Sequence, residues 1–420
     1  MKTLRPRFLI SLMVFGLIAS VVCNFVPILT AISLARESVE IDVSYRWGGG
    51  HQRLIEEVIQ NFNKKNPEIN VKGVSAAGRL WEELSAKVIA KLAAGEEPPA
   101  VMIPGYYLVE HCVKTFNAAR LDEVGGTEAT AVFDKFLPAV LTLAQVNGVQ
   151  YGLPFALSNP VLFYNCDIFE KAGLDPKNPP RTWREVGLMG RIIKDNTKAV
   201  PLYINQLDSW YWQALIESNG GNFIKNGRPA FTSAEAIEAT EVWVDFYEKK
   251  LIPKITRKEA IEAFAAGRMA MNGDSITVFE GFARAVPRLE TTQMPTFGSK
   301  TKRLPPGGGP LVILARSSER RKAAWELLKY MVSEEAMNIW VQTGYISPLD
   351  PAKVKVRRDY RQNPAYEQLQ YMVPWVSWPG LHSLEIEKHI CDWRDKMLYG
   401  EVGVEEGVKK LQKTIEGLLP

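Results

Sequence analysis

Tryptophan residues at turns and helix starts are the most informative chemical groups in this sequence. The chain contains 11 tryptophans, and several lie beside glycine, proline, asparagine or aspartate and outside periodic apolar stripes: Trp47, Trp81, Trp210, Trp212, Trp375 and Trp378. An indole face packs against the C–H face of a sugar ring while polar neighbours bind the hydroxyls. At each single position, anchoring of a loop onto the core is the alternative. Together these residues favour a cleft for a polyhydroxylated ligand.

Two glycine runs could place backbone N–H groups close to an anion. Gly48-Gly49-Gly50 follows the strand that ends near Trp47 and precedes a helix, whereas Gly307-Gly308-Gly309 precedes a strand. A helix start after glycine can bind phosphate, but neither run has the GK[ST] ending of a phosphate-binding loop. A tight turn and a ligand contact therefore both stay open for these segments.

Other site chemistries lack their sequence patterns. There is no G-x-S-x-G motif, and no serine or cysteine lies in a recognisable catalytic setting with histidine. The four histidines have no close pair at metal-binding spacing, and Cys112, Cys166 and Cys391 form no disulfide framework. Since 51 basic residues nearly balance 47 acidic ones and no basic block stands out, nucleic acid is not an expected partner. We expect no catalytic residues, no cofactor and no metal, with an exported carbohydrate-active enzyme as the alternative class.

The N-terminal 35 residues are typical of an export signal. Lys2, Arg5 and Arg7 precede an apolar run over residues 8–22 that continues less cleanly to Leu34. Cleavage before Arg36 gives a periplasmic protein, and retention gives one tethered to the outer face of the cytoplasmic membrane. Lipidation at Cys23 is disfavoured by the preceding Val22. We therefore interpret residues 1–35 as a signal peptide or N-terminal anchor.

The exported region alternates strands and helices. An apolar/polar alternation from Val39 to Trp47 predicts a strand, and helical spacing follows over 51–63. A second strand over 69–74, a helix over 81–94 and a third strand over 100–103 complete a βαβαβ opening. This order predicts an α/β fold with a mostly parallel sheet, whose ligand crevice lies beyond the carboxyl ends of the strands, where Trp47 and Gly48 stand.

At this point the exported region resembles the family 1 extracellular solute-binding proteins of ABC importers along nearly its whole length. The segments that carry the resemblance are FNKKNP (62–67), KLAAG (91–95), YGLP (151–154), PVLFYN (160–165), FEKAGL (169–174), PPRTW (179–183), FAAGRMAM (264–271) and TGY (343–345). The resemblance implies a two-lobed periplasmic-binding-protein fold of the class II type, with the ligand cleft between the lobes. It assigns residues 36–155 plus 308–332 to lobe I and 156–307 plus 333–420 to lobe II.

The same resemblance implies a mechanism and partners. By this likeness, the lobes close over one small molecule and deliver it to a membrane permease and its ATPase. The protein would then act by a conformational change without catalysing a reaction, so we expect that it is not an enzyme. The implied state is a monomer.

Within the family the sequence is most similar to glycerol-3-phosphate-binding proteins. By that likeness Trp81 lies against the ligand, Ser158, Ser275 and Tyr345 supply hydroxyls, and Gly308 supplies backbone. Two positions differ from the pattern of those proteins. Gly105 stands after the third strand, where they have a carboxylate, and His382 follows Gly380-Leu381, where they have an arginine. Histidine offers less charge and fewer donors than a bidentate arginine, so a sugar or other polyol is favoured over a phosphate ester.

The sequence leaves three ligand classes to compare: a carbohydrate, a phosphate ester and Fe(III). A carbohydrate receptor would use the faces of Trp47, Trp81, Trp210 and Trp378, with Asp208, Ser275 and Tyr345 as polar contacts. A receptor for glycerol-3-phosphate or another phosphate ester would use Gly48-Gly49-Gly50, His382 and arginines that the sequence does not identify. A third alternative, an Fe(III) receptor using Tyr106-Tyr107, conflicts with the early position of that pair in the chain.

Overall fold

The computed structural model describes residues 38–78, 81–380 and 382–420. The predicted signal peptide or anchor, with Cys23, lies outside the described residues. Within the described ranges, no helix combines the length and apolar character needed to cross a membrane.

Short strands recur along the whole described chain. In chain order they are β1 Val39–Tyr45, β2 Ile69–Ser75, β3 Val101–Met102, β4 Gln145–Val146, β5 Val149–Gln150, β6 Gly152–Ser158, β7 Pro160–Asn165, β8 Val200–Ile204, β9 Ile224–Lys225, β10 Arg228–Pro229, β11 Met269–Ser275, β12 Leu289–Gln293 and β13 Gly307–Ile313.

Helices alternate with these strands and dominate the C-terminal part. They are α1 Gly49–Lys65, α2 Trp81–Ala93, α3 Val109–Phe116, α4 Leu121–Gly125, α5 Ala129–Phe133, α6 Pro138–Leu141, α7 Cys166–Ala172, α8 Trp183–Asn196, α9 Trp210–Ser218, α10 Ala234–Glu248, α11 Arg257–Ala265, α12 Phe279–Ala285, α13 Ser318–Met331, α14 Glu334–Trp340, α15 Asn363–Glu367, α16 Ser383–Leu398 and α17 Val404–Glu416. The predicted βαβαβ opening is confirmed.

The first lobe is built on a sheet with strand order β2-β1-β3-β13-β6. Strand β1 pairs in parallel with β2 and β3, whereas β13 is antiparallel to β3 and β6. The prediction of a mostly parallel sheet is therefore confirmed for β1, β2 and β3 and wrong for β6 and β13, which pair antiparallel. These two strands adjoin the segments through which the chain passes to and from the second lobe. Val43, Phe62 and Trp340 lie in the core of this lobe.

The second lobe is built on a sheet with strand order β12-β7-β11-β8. Strand β11 is parallel to β8 and antiparallel to β7. Phe163, Trp212 and Trp243 lie in its core. The two-lobed α/β architecture predicted from the sequence is confirmed by this arrangement of two sheets.

The chain passes between the sheets three times. The first crossing is the single residue Asn159, a buried amide whose Nδ2 donates to the carbonyl of Ala365 at 2.7 Å. The second spans residues 294–306, and the third lies between Leu349, in the first lobe's core, and Ala365, in the second lobe's core. Helix α14 packs against α1 and shares the first lobe's core, although the sequence boundary at 332/333 placed it in lobe II. The difference arises because Met337 and Trp340 bury their side chains in that core.

Candidate functional site

A cavity of about 260 Å³ lies between the two lobes, beyond the carboxyl ends of β1, β8 and β11. Both lobes contribute to its wall. The lining residues are Arg46, Trp47, His51, Trp81, Ser158, Asn205, Leu207, Asp208, Trp210, Arg257, Ser275, Thr277, Val278, Gly307, Gly308, Tyr345 and Trp375.

The first-lobe wall is an aromatic cluster. The Trp47 ring meets the Trp81 ring edge-on at 5.7 Å and the Tyr345 ring at 5.8 Å. Tyr345 in turn stacks on Trp340 with ring centres 5.4 Å apart and planes inclined by 14°. Edge-to-face and stacked pairs of this kind fix each other's orientation. The cavity therefore meets preset aromatic surfaces on this side.

The second-lobe wall adds two more indoles. Trp210 begins α9, and its Nε1–H donates to the carbonyl of Pro305 at 2.9 Å. Its ring centre lies 6.5 Å from that of Trp375, which also contacts Tyr107 of the first lobe at 4.5 Å. A solute in the cavity would have aromatic groups from both lobes around it.

Glycines at the start of β13 bring the backbone close to both lobes. Gly308 has φ of +100°, and a Cβ there would lie 2.1 Å from the carbonyl oxygen of Ala156. A Cβ on Gly307 would lie 2.3 Å from Oγ of Ser158 and 3.4 Å from the Trp210 ring. Gly308 therefore needs glycine, whereas a side chain at Gly307 would require the Ser158 hydroxyl to move; both glycines line the cavity as closely packed backbone.

An ion pair stands in the second-lobe wall. Asp274, at the end of β11, is fully buried and accepts hydrogen bonds from Arg257 Nε at 3.0 Å and Nη2 at 3.0 Å. Asn205, which follows β8, donates its Nδ2 to the same carboxylate at 2.9 Å. Arg257 and Asn205 line the cavity. Sequence reasoning missed both, because 17 residues separate Arg257 from Asp274 and no motif links them.

The loop that carries Asp208 is fixed by α16. Arg394 is 1% exposed; its Nη1 donates to the carbonyl of Asp208 and its Nη2 to the carbonyl of Gln206 at 2.8 Å. Glu387, also in α16, accepts hydrogen bonds from Ser209 N at 2.7 Å and from Ser209 Oγ at 2.9 Å. Buried polar groups of this kind hold a loop in one geometry when all are satisfied.

Burial changes the acid–base behaviour of this loop. It raises the pKa of Glu387 to about 7, and the neighbouring Asp208 carboxylate adds to the rise. Burial also raises the pKa of Asp208, although the hydrogen bond from Trp210 N opposes the change. These carboxyl groups thus hold protons more tightly than free side chains do.

The first lobe also places the basic residues Arg46 and His51 at the cavity. The guanidinium of Arg46 lies over the Trp81 ring at 4.2 Å from its centre. Burial lowers the pKa of His51, and the charge of Arg46 adds to the change. Burial and the charge of Arg46 therefore both favour the neutral form of His51.

The structure brings together most of the side chains that the sequence singled out. Those that line the cavity are Trp47, Trp81, Ser158, Asp208, Trp210, Ser275, Gly308 and Tyr345.

Three predicted site residues lie elsewhere. Gly48 is the exposed residue before α1, and His382 has a 55% exposed side chain whose Nδ1 lies 3.0 Å from Glu385. Trp378 is 6% exposed and packs against Phe223 and Phe231, each with ring centres 6.3 Å away. For Trp378, anchoring of a loop onto the core is the correct interpretation. His382 lies outside the cavity lining of this structure.

Comparison with known proteins agrees with this architecture. Residues 48–338 match the model of the bacterial extracellular solute-binding protein family. The sn-glycerol-3-phosphate-binding periplasmic protein UgpB of Rhizobium meliloti is 25% identical over 364 residues, which cover 79% of this chain and 81% of that protein. A putative binding protein of Brucella abortus is 25% identical over 321 residues, 74% of this chain and 75% of the relative.

Solved structures with the same fold include a sugar-binding protein and a protein in complex with glycerophosphocholine. The cyclic alpha-maltosyl-1,6-maltose binding protein of Arthrobacter globiformis has a TM-score of 0.78 and 21% identity, covering 90% of this chain and 98% of its own. UgpB of Mycobacterium tuberculosis, solved with glycerophosphocholine, has a TM-score of 0.77 at 21% identity with the same coverage. Since the family model matches most of the sequence, this chain belongs to the bacterial extracellular solute-binding protein family.

Proposed function

We propose that this protein binds one small polyhydroxylated solute, a sugar or related polyol, in the cavity between its lobes. The observation that carries the proposal is the placement of aromatic rings from both lobes around a single cavity, with Trp47, Trp81 and Tyr345 on one side and Trp210 and Trp375 on the other. Such rings pack against the C–H faces of sugars.

Polar groups between the rings support the same ligand class. Ser158, Asn205, Ser275 and Thr277 place hydroxyl and amide groups at the wall. A few well-placed polar groups within an otherwise aromatic lining are the usual composition of a site for a small organic ligand. Hydroxyls of a polyol can both donate to and accept from these side chains.

The size of the cavity limits the solute. Its volume of about 260 Å³ lies below the lower end of ordinary ligand pockets, roughly 300 Å³. A monosaccharide or a polyol of similar size matches this volume better than a long oligosaccharide does.

The charges at the wall are largely compensated. Asp274 neutralises Arg257 through bonds to Nε and Nη2, and burial favours the neutral form of His51. Asp208 faces the same cavity as Arg46. Because Asp274 compensates Arg257, this wall attracts an anion less than two uncompensated arginines would.

Closure of the lobes is the proposed mechanism. A solute that touches both walls binds the closed form better than the open form, so it shifts the population toward closure. We propose that an ABC permease with its ATPase recognises this form on the outer face of the membrane, and that the protein reaches that location through its N-terminal 35 residues. It acts as a monomer and leaves the solute chemically unchanged.

A phosphate ester is the second candidate. The specific observation in its favour is the presence of Arg46 and Arg257 at the same cavity. A guanidinium group can donate two parallel hydrogen bonds to two oxygens of one phosphate. The two ligand classes differ in their response to salt. Screening weakens binding of an anion and leaves binding of a neutral sugar nearly unchanged.

A thermal-shift screen of the exported protein distinguishes these candidates. The panel contains monosaccharides, disaccharides, polyols, glycerol-3-phosphate and glycerophosphodiesters. A ligand at a hundred times its Kd stabilises the folded state by about 2.7 kcal/mol. We expect stabilisation by neutral sugars or polyols. Stabilisation by phosphate esters alone would overturn the proposal, and recovery of an altered sugar after incubation would instead indicate an enzyme.

A further inference from the structure

We infer that Arg257, whose positive charge Asp274 compensates, determines specificity by donating hydrogen bonds to hydroxyl oxygens of the bound solute. This inference rests on the proposed function. It adds the group that would distinguish one polyol from another, at a position that neither the aromatic pattern nor the family resemblance indicates.

The geometry of Arg257 is set by a buried carboxylate. Its Nε lies 3.0 Å from Oδ2 and 3.2 Å from Oδ1 of Asp274, and its Nη2 lies 3.0 Å from Oδ1. Asp274 is fully buried, whereas the Arg257 side chain is 25% exposed. The guanidinium is therefore held through Nε and Nη2, and a quarter of the Arg257 side chain stays exposed.

One oxygen of the Asp274 carboxylate, Oδ1, is saturated by the protein, and the whole group is buried. Besides Arg257, Asp274 accepts from Asn205 Nδ2 at 2.9 Å and from the backbone N–H of Ser275 at 2.6 Å. These partners leave it little capacity to contact a solute. In contrast, no acceptor among the described residues bonds to Nη1 of Arg257. The pair thus offers donors to the cavity and withholds its acceptor.

The supporting elements are rigid. Arg257 is the first residue of α11, where Thr256 and Glu259 form a reciprocal cap: Thr256 N donates to Glu259 Oε2 at 2.7 Å and Glu259 N donates to Thr256 Oγ1 at 3.3 Å. Asp274 lies in β11, which pairs with strands on both sides. Both ends of the ion pair are fixed before any ligand arrives, which reduces the entropy lost on binding.

The chemistry of a compensated guanidinium suits neutral acceptors. Asp274 cancels most of the charge of Arg257, so attraction to an anion is reduced, while the planar N–H groups keep their fixed spacing. Two adjacent hydroxyl oxygens match that spacing. A solute that lacks one of them leaves a donor unpaired in a confined site, which costs affinity.

The test compares Arg257→Lys and Arg257→Met with the unchanged protein, using full-length chain as the cell exports it. Arg284→Met is the matched control, because Arg284 is a surface arginine with a 74% exposed side chain. Each protein is titrated calorimetrically with the best neutral sugar from the panel and with its series of monodeoxy analogues, at low and high salt. Should Arg257→Met fail to fold because Asp274 loses its partner, the double change Arg257→Met with Asp274→Asn replaces it.

We expect both Arg257 variants to lose roughly tenfold or more in affinity for the parent sugar. One deoxy analogue should bind the unchanged protein and the Arg257 variants with the same affinity. That analogue lacks the hydroxyl that Arg257 contacts, so removal of the arginine costs it no further interaction. Lysine should not restore binding. Equal loss across all analogues, full rescue by lysine, or a salt dependence that disappears in the variants would overturn the inference while leaving sugar binding intact. Failure of the unchanged protein to bind any neutral sugar would overturn the proposed function and this inference with it.

Discussion

The indole Nε1–H of Trp47 donates a hydrogen bond to the hydroxyl oxygen of Tyr345 at 3.3 Å, although 298 positions separate the two residues in the chain. Gly344 makes the approach of Tyr345 feasible, because its φ is +93° and a Cβ there would lie 2.5 Å from the carbonyl oxygen of Thr277. The aromatic wall of the cavity is thus assembled from the first strand, a late turn of the chain and a contact with the second lobe.

Removal of this hydroxyl should weaken the wall. Tyr345→Phe leaves the buried indole N–H of Trp47 without its acceptor, which costs about 1–3 kcal/mol in the free energy of unfolding. We also expect lower affinity for the solute, since Tyr345 lines the cavity. Chemical denaturation and calorimetric titration measure the two effects. Tyr360→Phe is the control: Tyr360 is 67% exposed, so loss of its bond to Glu290 should change neither quantity by much.

A methyl group at Gly308 should disrupt the strand pairing that borders the cavity. Gly308→Ala forces a Cβ to within 2.1 Å of the Ala156 carbonyl and holds alanine at a φ of +100°. Backbone strain alone costs of order 1–3 kcal/mol, and the clash adds to it. The melting temperature should fall markedly, or the protein should fail to accumulate.

The control for that substitution is Gly281→Ala. Gly281 lies in α12, where an added Cβ would have open space within 4 Å and the backbone φ is ordinary for a helix. Alanine is favoured over glycine in a helix by about 0.5–1 kcal/mol, so this variant should be at least as stable as the unchanged protein. An equal loss of stability in both variants would contradict the role assigned to Gly308.

The buried guanidinium of Arg394 should position the Asp208 loop. Arg394→Lys replaces the planar guanidinium, whose separate Nη1 and Nη2 reach the carbonyls of Asp208 and Gln206, with a single ammonium nitrogen, so we expect about 1–3 kcal/mol less stability and weaker solute binding. Arg288→Lys is the matched surface control, with a 48% exposed side chain bonded to Asp167 and Glu170. Its effect should stay below about 1 kcal/mol. Unchanged affinity in a folded Arg394→Lys protein would show that the loop does not need this anchor.

Stability should depend on pH through Glu387. Its pKa of about 7 in the folded protein exceeds its ordinary value of 4.5, so the folded state binds the proton more tightly than the unfolded chain does. This residue's contribution to the free energy of unfolding is therefore full below pH 4.5, decreases as pH rises toward 7, and is lost above that. Glu217, whose pKa burial also raises to about 7, adds a decline of the same sign.

Glu387→Gln isolates the first contribution. An amide can accept from Ser209 N through its oxygen and donate to Ser209 Oγ, so the loop should keep its geometry. Denaturation curves at pH 5, 6, 7 and 8 should show a shallower decline than in the unchanged protein, with the largest gain at pH 8. A decline of the same steepness would mean that Glu387 does not titrate in this range.

Local patterns in the sequence predicted much of the fold and part of the site. The opening βαβαβ unit, with its helices over 51–63 and 81–94, follows from apolar spacing, which acts within a few positions along the chain. Tryptophans beside loop residues pointed to Trp47, Trp81 and Trp210, which meet at the cavity. The same pattern also selected Trp378, because a tryptophan that anchors a loop to the core has the same neighbours in sequence.

Contacts between distant segments could not be predicted in this way. The pair Arg257–Asp274 depends on how α11 packs beside β11, and the grip of Arg394 on the Asp208 loop joins residues 186 positions apart. The position of α14 in the first lobe likewise depends on which core buries Met337 and Trp340. Such relations require the three-dimensional path of the chain.

Calorimetric titration of the full-length exported protein with neutral sugars and with phosphate esters, each at low and high salt, tests the central claim most directly. We predict saturable binding of a neutral sugar or polyol with a Kd that salt barely changes, loss of that binding in Trp210→Ala, and its retention in Trp393→Ala, a tryptophan of α16 outside the cavity lining. Binding of phosphate esters alone, with affinity that falls as ionic strength rises, would contradict the claim.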